Sequence, residues 1–336
     1  MMSIATSMVR PDVRAAHRLR QIKFGLFAPQ IGAPFSVIKE RACLADRLGF
    51  DSIWFPDHFC HGEMPDLDFP DVWTVISALA AITKRVRIGT LVLCNSYRNP
   101  ALLAKMASSL DQISNGRFIL GMGAGWMAEE YRAYGYPFPS ARIRIEQLDE
   151  GLTLMKRLFT ESRASFEGKY YSVDGAVNNP KPVQKPYPPI LIGGAGERRL
   201  LRVVAKHADI WNCPMHRVFD EGDHSAHDLA SKCDVLRRHC EAVGRDPEDI
   251  EISEQCVMVI GRTEQELQSN LQFAKWALGA VFDVDKTALR GTPDQLIEEI
   301  QRRCRLGVSL FTTLFGDWNR PETLELFAER VMPAFA

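Results

Sequence analysis

Several things are missing from this chain of 336 residues, and each omission removes a class of protein. No run of 18 apolar residues occurs, so no segment reads as a membrane-spanning helix. Charge of one sign is missing too. The 41 Lys and Arg against 42 Asp and Glu leave a formal charge of -1, which provides no field for holding nucleic acid or an anionic membrane. The eight cysteines, at 43, 60, 94, 213, 233, 240, 256 and 304, form no CxxC and no paired spacing. Such scatter suits the reduced, mostly buried thiols of a cytosolic protein rather than a disulfide framework. A GxSxG elbow, a Walker A Lys-Ser/Thr and an HxxxH pair are also missing, which removes the serine-hydrolase, P-loop and helical zinc-site readings. Residues 1–21 are Arg-rich, with Asp12 as their one acidic residue and no apolar core like that of a secretory signal. They read as a basic N-terminal extension.

What is present is a rhythm. With 46% apolar and 25% charged residues the composition is that of a globular protein. From residue 22 onward, short β-branched runs alternate with segments of helical spacing. The strand segments are 22–29, 51–55, 86–93, 116–123, 190–194, 209–213, 250–261 and 308–316. Intervening helices are expected at 36–49, 72–83, 100–114, 144–159, 197–208, 227–243, 263–278 and 292–307, with a closing helix over about 321–333. Eight strand–helix units without a break in composition predict a single (β/α)8 TIM barrel over 22–336. Insertions interrupt it at 160–188, where a hairpin is expected, at 213–226 and at 279–291; together with 60–71 these are expected to build the substrate pocket.

In such a barrel the chemistry sits where strands end. The second strand runs into "PDHFCHGE", which crowds Asp57, His58, Cys60, His61 and Glu63 together. Five such residues on one extended segment do not readily converge on a metal, so no metal site is expected. At a strand terminus His58, oriented by its neighbour Asp57, can pass a proton near neutral pH; a rim histidine can equally do no more than cap a loop. The fifth strand enters its helix through "GGAG", Gly193 to Gly196. There the backbone N–H groups near Gly194, Ala195 and Gly196, with Arg198 or Arg199, suit an anion, and a plain tight turn is the other reading. The fourth strand ends in the glycine-rich "GMGAGW" (121–126). Trp126, Trp211 and His61 are candidates for the pocket wall, and the histidine-rich stretch 215–228 for a lid.

Together "FGLFAPQ", "GFDSIWFPDHF", "VRIGTLVL", "GRFILGMGAGWMAEEYRAYGYPFP", "FEGKYYSV", "PKPVQKPYPPILIGG", "KHADIWN" and "GTPDQLIEEI" resemble the bacterial luciferase-like monooxygenase superfamily, in its coenzyme F420-dependent and flavin-dependent oxidoreductase branch. The resemblance spans residues 22 to 333. It implies a flat deazaflavin or flavin at the C-terminal mouth, a homodimer, and a non-proline cis peptide at the third strand, which falls here on Leu91-Val92. The family's cofactor aspartate and proton-transferring histidine fall on Asp57 and His58, its glycine turn after strand four on Ala124-Gly125, and its phosphate-side turn on Gly193 and Gly194. In the F420-dependent sugar-phosphate dehydrogenases a tryptophan and a glutamate stand where this chain has Gly62 and Trp126, so that reaction is not expected and the second acid/base group is unassigned. The expectation is an oxidoreductase moving a hydride between coenzyme F420 and a small organic substrate, with Arg198, Arg199, Lys181 and Lys185 offered to the acidic tail of F420. The alternative is an FMN-dependent monooxygenase that uses O2 and a flavin supplied by a separate reductase.

Overall fold

The computed structural model describes residues 20–60, 66–214, 226–279 and 281–336. Its centre is a closed ring of eight parallel strands: β1 (Lys23–Phe27), β2 (Ser52–Phe55), β3 (Arg87–Thr90), β4 (Phe118–Gly123), β5 (Ile190–Gly193), β6 (Ile210–Cys213), β7 (Glu251–Ile260) and β8 (Val308–Phe315). Each strand pairs with the next, and β8 pairs back onto β1 with Lys23 opposite Leu310. All eight predicted strands are therefore present, in the predicted architecture.

The helices around the ring start and stop where local chemistry directs. The helix α1 (Phe35–Leu48) ends on Gly49, whose φ of 84° is the left-handed conformation that closes a helix. Next come α2 (Val72–Ile82) and α3 (Pro100–Ile113); in α3, Pro100 stands at the first turn and the Asn99 side chain accepts from the N–H of Ala101. They are followed by α4 (Ala141–Thr160), α5 (Leu200–His207), α6 (Ala226–Val243), α7 (Glu264–Leu278), α8 (Pro293–Cys304), which opens with a Thr292–Gln295 capping box, and α9 (Pro321–Arg330). Among the described residues no helix is long and apolar enough to cross a membrane.

Strand alternation divides the apolar residues into two layers. Phe24, Leu26, Ile53, Phe55, Ile88, Leu120 and Ile192 pack outward with the helices, whereas Phe27, Trp54, Leu91, Ile119, Leu191, Ile210 and Leu310 fill the ring. The largest filler is Trp54, fully buried, and the sequence makes room for it on both sides. A Cβ on Gly89 would stand 2.2 Å from its indole and one on Gly25 2.4 Å from its Nε1, which donates to Ser52 Oγ at 2.8 Å. One large and two absent side chains complete the layer.

One insertion differs from expectation in place. Segment 160–188 leaves the C-terminus of α4 and enters the start of β5, so it begins and ends at the base of the barrel, away from the mouth. The expected hairpin is there (Ala164–Glu167 with Ser172–Ala176), and its turn runs back along α4, held by the Glu150 carboxylate, which accepts the N–H groups of Lys169, Tyr170 and Tyr171 at 2.7–2.9 Å. Only the tip reaches mouth-side structure, where Asn95 Nδ2 donates to Tyr171 Oη at 3.0 Å. Segment 279–291 carries a four-residue helix, Val284–Thr287, and a strand, Ala288–Gly291, that pairs with the C-terminal half of β7 and thus rims the mouth.

Candidate active site

The end of β2 delivers two polar residues with different surroundings. Asp57 is 4% exposed and fully engaged. Its carboxylate takes a two-pronged ion pair from Arg98, at 2.7 and 3.0 Å, and the N–H of Cys94 at 2.9 Å. It thereby ties the end of β2 to the segment after β3. That segment turns at the Leu91–Val92 peptide, which is cis. The Val92 side chain lies across the neighbouring strand ends: a Cβ on Gly123 would stand 2.6 Å from its Cγ2, and one on Gly193 3.0 Å from its Cγ1. Glycine at the ends of β4 and β5 is what lets the bulge settle. Cys94 is buried, its Sγ 2.9 Å from Tyr131 Oη, and burial pushes its thiol up to about 11, so it stays protonated and unreactive near neutral pH.

His58 is oriented by a residue 72 positions away, not by its neighbour. Its Nδ1 lies 2.9 Å from Oε2 of Glu130, on a short helix, Ala128–Ala133, after β4. Glu130 is 1% exposed and accepts also from the N–H of Phe59 at 2.8 Å and from Tyr97 Oη at 2.9 Å. Burial alone would raise this carboxyl, but the bond and charge of His58, the Phe59 N–H and the Tyr97 hydroxyl together hold it below its ordinary value. An ionised carboxylate only accepts, so the proton between the two groups belongs to Nδ1 and the lone pair of neutral His58 is on Nε2. Among the described residues Nε2 has no partner. The ring stands edge-on to Trp126, centroids 5.7 Å apart, and to Phe69 at 6.2 Å. A histidine with one nitrogen locked and the other open at a barrel mouth is equipped to give or take a proton.

On the far side of the Val92 bulge, β5 turns into α5 through Gly193–Gly196. Gly194 has φ 130°, and a Cβ there would meet Leu200 Cδ2 at 2.3 Å. Its N–H bonds to Asn212 O. Among the described residues no carbonyl takes the N–H of Ala195 or of Gly196, and Arg198 stands exposed beside them. After β4, Ala124 is half-buried and Gly125 has φ 76°, with the Tyr131 hydroxyl only 2.0 Å from where its Cβ would be. Among the described residues no three His, Cys, Asp or Glu gather into a metal-binding group.

Residues 22–280 match the family model described as luciferase-like monooxygenase. The chain belongs to the bacterial luciferase-like monooxygenase family. Its relatives include F420-dependent and FMNH2-dependent oxidoreductases and monooxygenases. Along most of its length it is similar to the FMNH2-dependent dimethylsulfone monooxygenase of Pseudomonas putida, 27% identical over 93% of this chain and 94% of that one. Along half of it, it is similar to the F420-dependent glucose-6-phosphate dehydrogenase of Kineococcus radiotolerans, 37% identical over 51% of this chain and 49% of that protein. An F420-dependent secondary alcohol dehydrogenase, solved with an F420–acetone adduct, shares the fold with a TM-score of 0.78 at 21% identity, covering 94% of this chain and all of that one.

Against this luciferase-like frame, four sequence expectations change. Glu130 replaces Asp57 as the partner of His58. A helix of six residues is too short for periodicity to announce, and the one signal was an acid within "AEEYRAYG", where the exposed Glu129 and the buried Glu130 read alike. Trp211 does not face the pocket: it is fully buried on the outward side of β6, its Nε1 donating to Gly194 O at 2.8 Å. Alternation turns Asn212 inward instead, to Ser253 and Thr312. Lys181 and Lys185 lie at the base, where Lys181 Nζ donates to Leu158 O and Glu161 O at the end of α4 and Lys185 Nζ to Pro182 O, so neither borders the mouth. The pocket assigned partly to 160–188 loses that insertion for the same reason. His61 lies outside the described residues.

Proposed function

We propose that the mouth of this barrel binds coenzyme F420 and that the protein moves a hydride between that cofactor and a small organic substrate, with His58 handling the proton. The His58–Glu130 pair carries the reading: Glu130 anchors Nδ1 and leaves Nε2 as the proton-transfer atom toward the mouth. The residues present fit a flat, phosphorylated ring cofactor. The Leu91–Val92 segment offers it a main-chain backing, Gly125 a wall without a side chain, and Ala195 and Gly196 two N–H groups, without a partner among the described residues, that with Arg198 suit a phosphate. Asp57 and Arg98 keep the backing in place through Cys94. When bound, the deazaflavin supplies the two-electron chemistry that side chains lack. His58 would give or take a proton at the substrate oxygen through Nε2, while Trp126 and Phe69 keep water from its ring edge. A homodimer, cytoplasmic residence and an external cofactor reductase complete the proposal.

FMN-dependent monooxygenation, with reductase-supplied flavin and O2, is the second reading, favoured by the near full-length similarity to the dimethylsulfone enzyme. Titration of the purified protein with F420 and with FMN, followed by tryptophan fluorescence, tests the two. Saturable quenching by F420 is expected; micromolar binding of FMN with no response to F420 replaces the first reading by the second.

A further inference from the structure

The turn that follows β8 holds a tryptophan in a backbone conformation that bulky side chains rarely adopt. Trp318 has φ 61°, as does Asn319 after it. Asparagine tolerates this region, and tryptophan does so only where its surroundings impose it. The surroundings here do. Asn319 is buried, its Oδ1 accepting from Phe315 N–H and its Nδ2 donating to Phe27 O, both at 2.9 Å, so the turn is pinned to the ends of β8 and β1 together. The N–H of Trp318 bonds back to Phe315 O at 3.0 Å. Asp317 fastens the other side, accepting from Arg320 N–H and from Thr323 Oγ1. What this turn presents is the indole, half-buried over the inner layer of the barrel, in the same group of partly exposed apolar residues as Val92 and Phe282. The ring order places it two strands from His58, with β1 between, since β8 adjoins β1 and β1 adjoins β2.

We infer that Trp318 is a specificity-determining wall of the substrate chamber, and that with Phe282, Trp126 and Phe69 it selects an uncharged substrate with an apolar or planar body. This rests on the mouth being the active site, as proposed above. A glycine at 318 would relieve the backbone, so comparing it with tryptophan isolates what the side chain does.

The test compares Trp318→Gly, Trp318→Phe and the parent protein for binding of acetophenone, by saturation-transfer NMR, and for thermal stability. The wall predicts that W318G keeps or raises the melting temperature and weakens acetophenone binding by about tenfold or more, with W318F between the two. Unchanged acetophenone binding in W318G overturns the proposal, as does a melting temperature lowered by several degrees with binding intact, which would make the indole a packing plug. F420 and FMN are titrated in parallel. If neither binds the parent protein the cofactor reading fails by itself, because the acetophenone comparison scores Trp318 without either cofactor.

Discussion

Among the described residues two histidines sit against carboxylates, and the pairs are built in opposite senses. At the mouth the carboxylate is the buried partner: Glu130 is sealed among Tyr97, Phe59 and His58, while the His58 side chain is 20% exposed. Between α4 and α5 the histidine is the buried partner: His207 Nε2 lies 2.6 Å from Asp149 Oδ1, and Asp149 reaches solvent and also binds Lys206 at 2.8 Å. The free nitrogen decides what each can do. Among the described residues Nε2 of His58, at the end of β2, has no partner and the side chain is part-exposed, whereas Nδ1 of His207 is buried with no partner. Similar pairs thus leave different atoms accessible, and the direction of burial separates them: the first is the pair proposed above to move a proton, the second joins α4 to α5.

Removing His58 should separate the pairs most widely. His58→Ala is expected to cut turnover by on the order of 10²–10⁴ with cofactor affinity retained, the usual worth of a positioned acid–base group. Steady-state rates alongside a cofactor titration check it, and unchanged turnover would remove His58 from the chemistry. Glu130→Gln should come close behind. A glutamine amide can donate to Nδ1, which moves the ring proton to Nε2 and presents the mouth with the wrong tautomer; an inversion of that kind costs up to ~10⁴-fold. Circular dichroism should show the fold intact, and Glu130→Asp should recover part of the rate.

The smallest effect on rate is expected at the other pair. His207→Ala should leave turnover unchanged while costing about 2 kcal/mol of stability, read as a lower midpoint in urea. Its pH signature follows from the directions of the shifts. Burial lowers the pKa of His207, so the folded state favours the neutral ring, and this contribution is full above ~6.5 and is lost as pH falls. Asp149, where burial is outweighed by the bonds from His207 and Lys206, is held down at about 2, so its contribution persists above the ordinary carboxylate range and is lost as pH falls toward that value. Both act in the same sense, and the H207A variant should be less acid-sensitive below pH ~6.5 than the parent. An equal slope of stability against pH in both proteins would show that His207 carries none of the acid response.

Legibility followed the range of the interaction. The "IKFGLF", "DSIWF" and "VSLFTTLF" runs announce strands because β-branched and aromatic residues bury on both faces of a parallel sheet, and the glycines at 193–196 announce a tight turn because only absent side chains permit it. Asp57 and His58 were readable as candidates because they end a strand. Their partners were not. Arg98 and Glu130 lie 41 and 72 positions away, and nothing local marks them as more than surface charges. Trp211 misled for a related reason: alternation fixes that it and Asn212 face opposite ways, and only the closed ring tells which way is in.

By itself, then, the order of residues determined the eight strand–helix units and put Asp57 and His58 at the end of a strand, since both follow from periodicity and turn preference within a few residues. Tertiary structure decided the rest. Strand pairing sets the ends of β2, β3 and β4 side by side, and so brings His58 and Tyr97 both within hydrogen-bonding distance of the Glu130 carboxylate. That proximity occupies Nδ1 and leaves Nε2 without a partner among the described residues, an outcome that depends on burial and bond geometry and that no local pattern encodes.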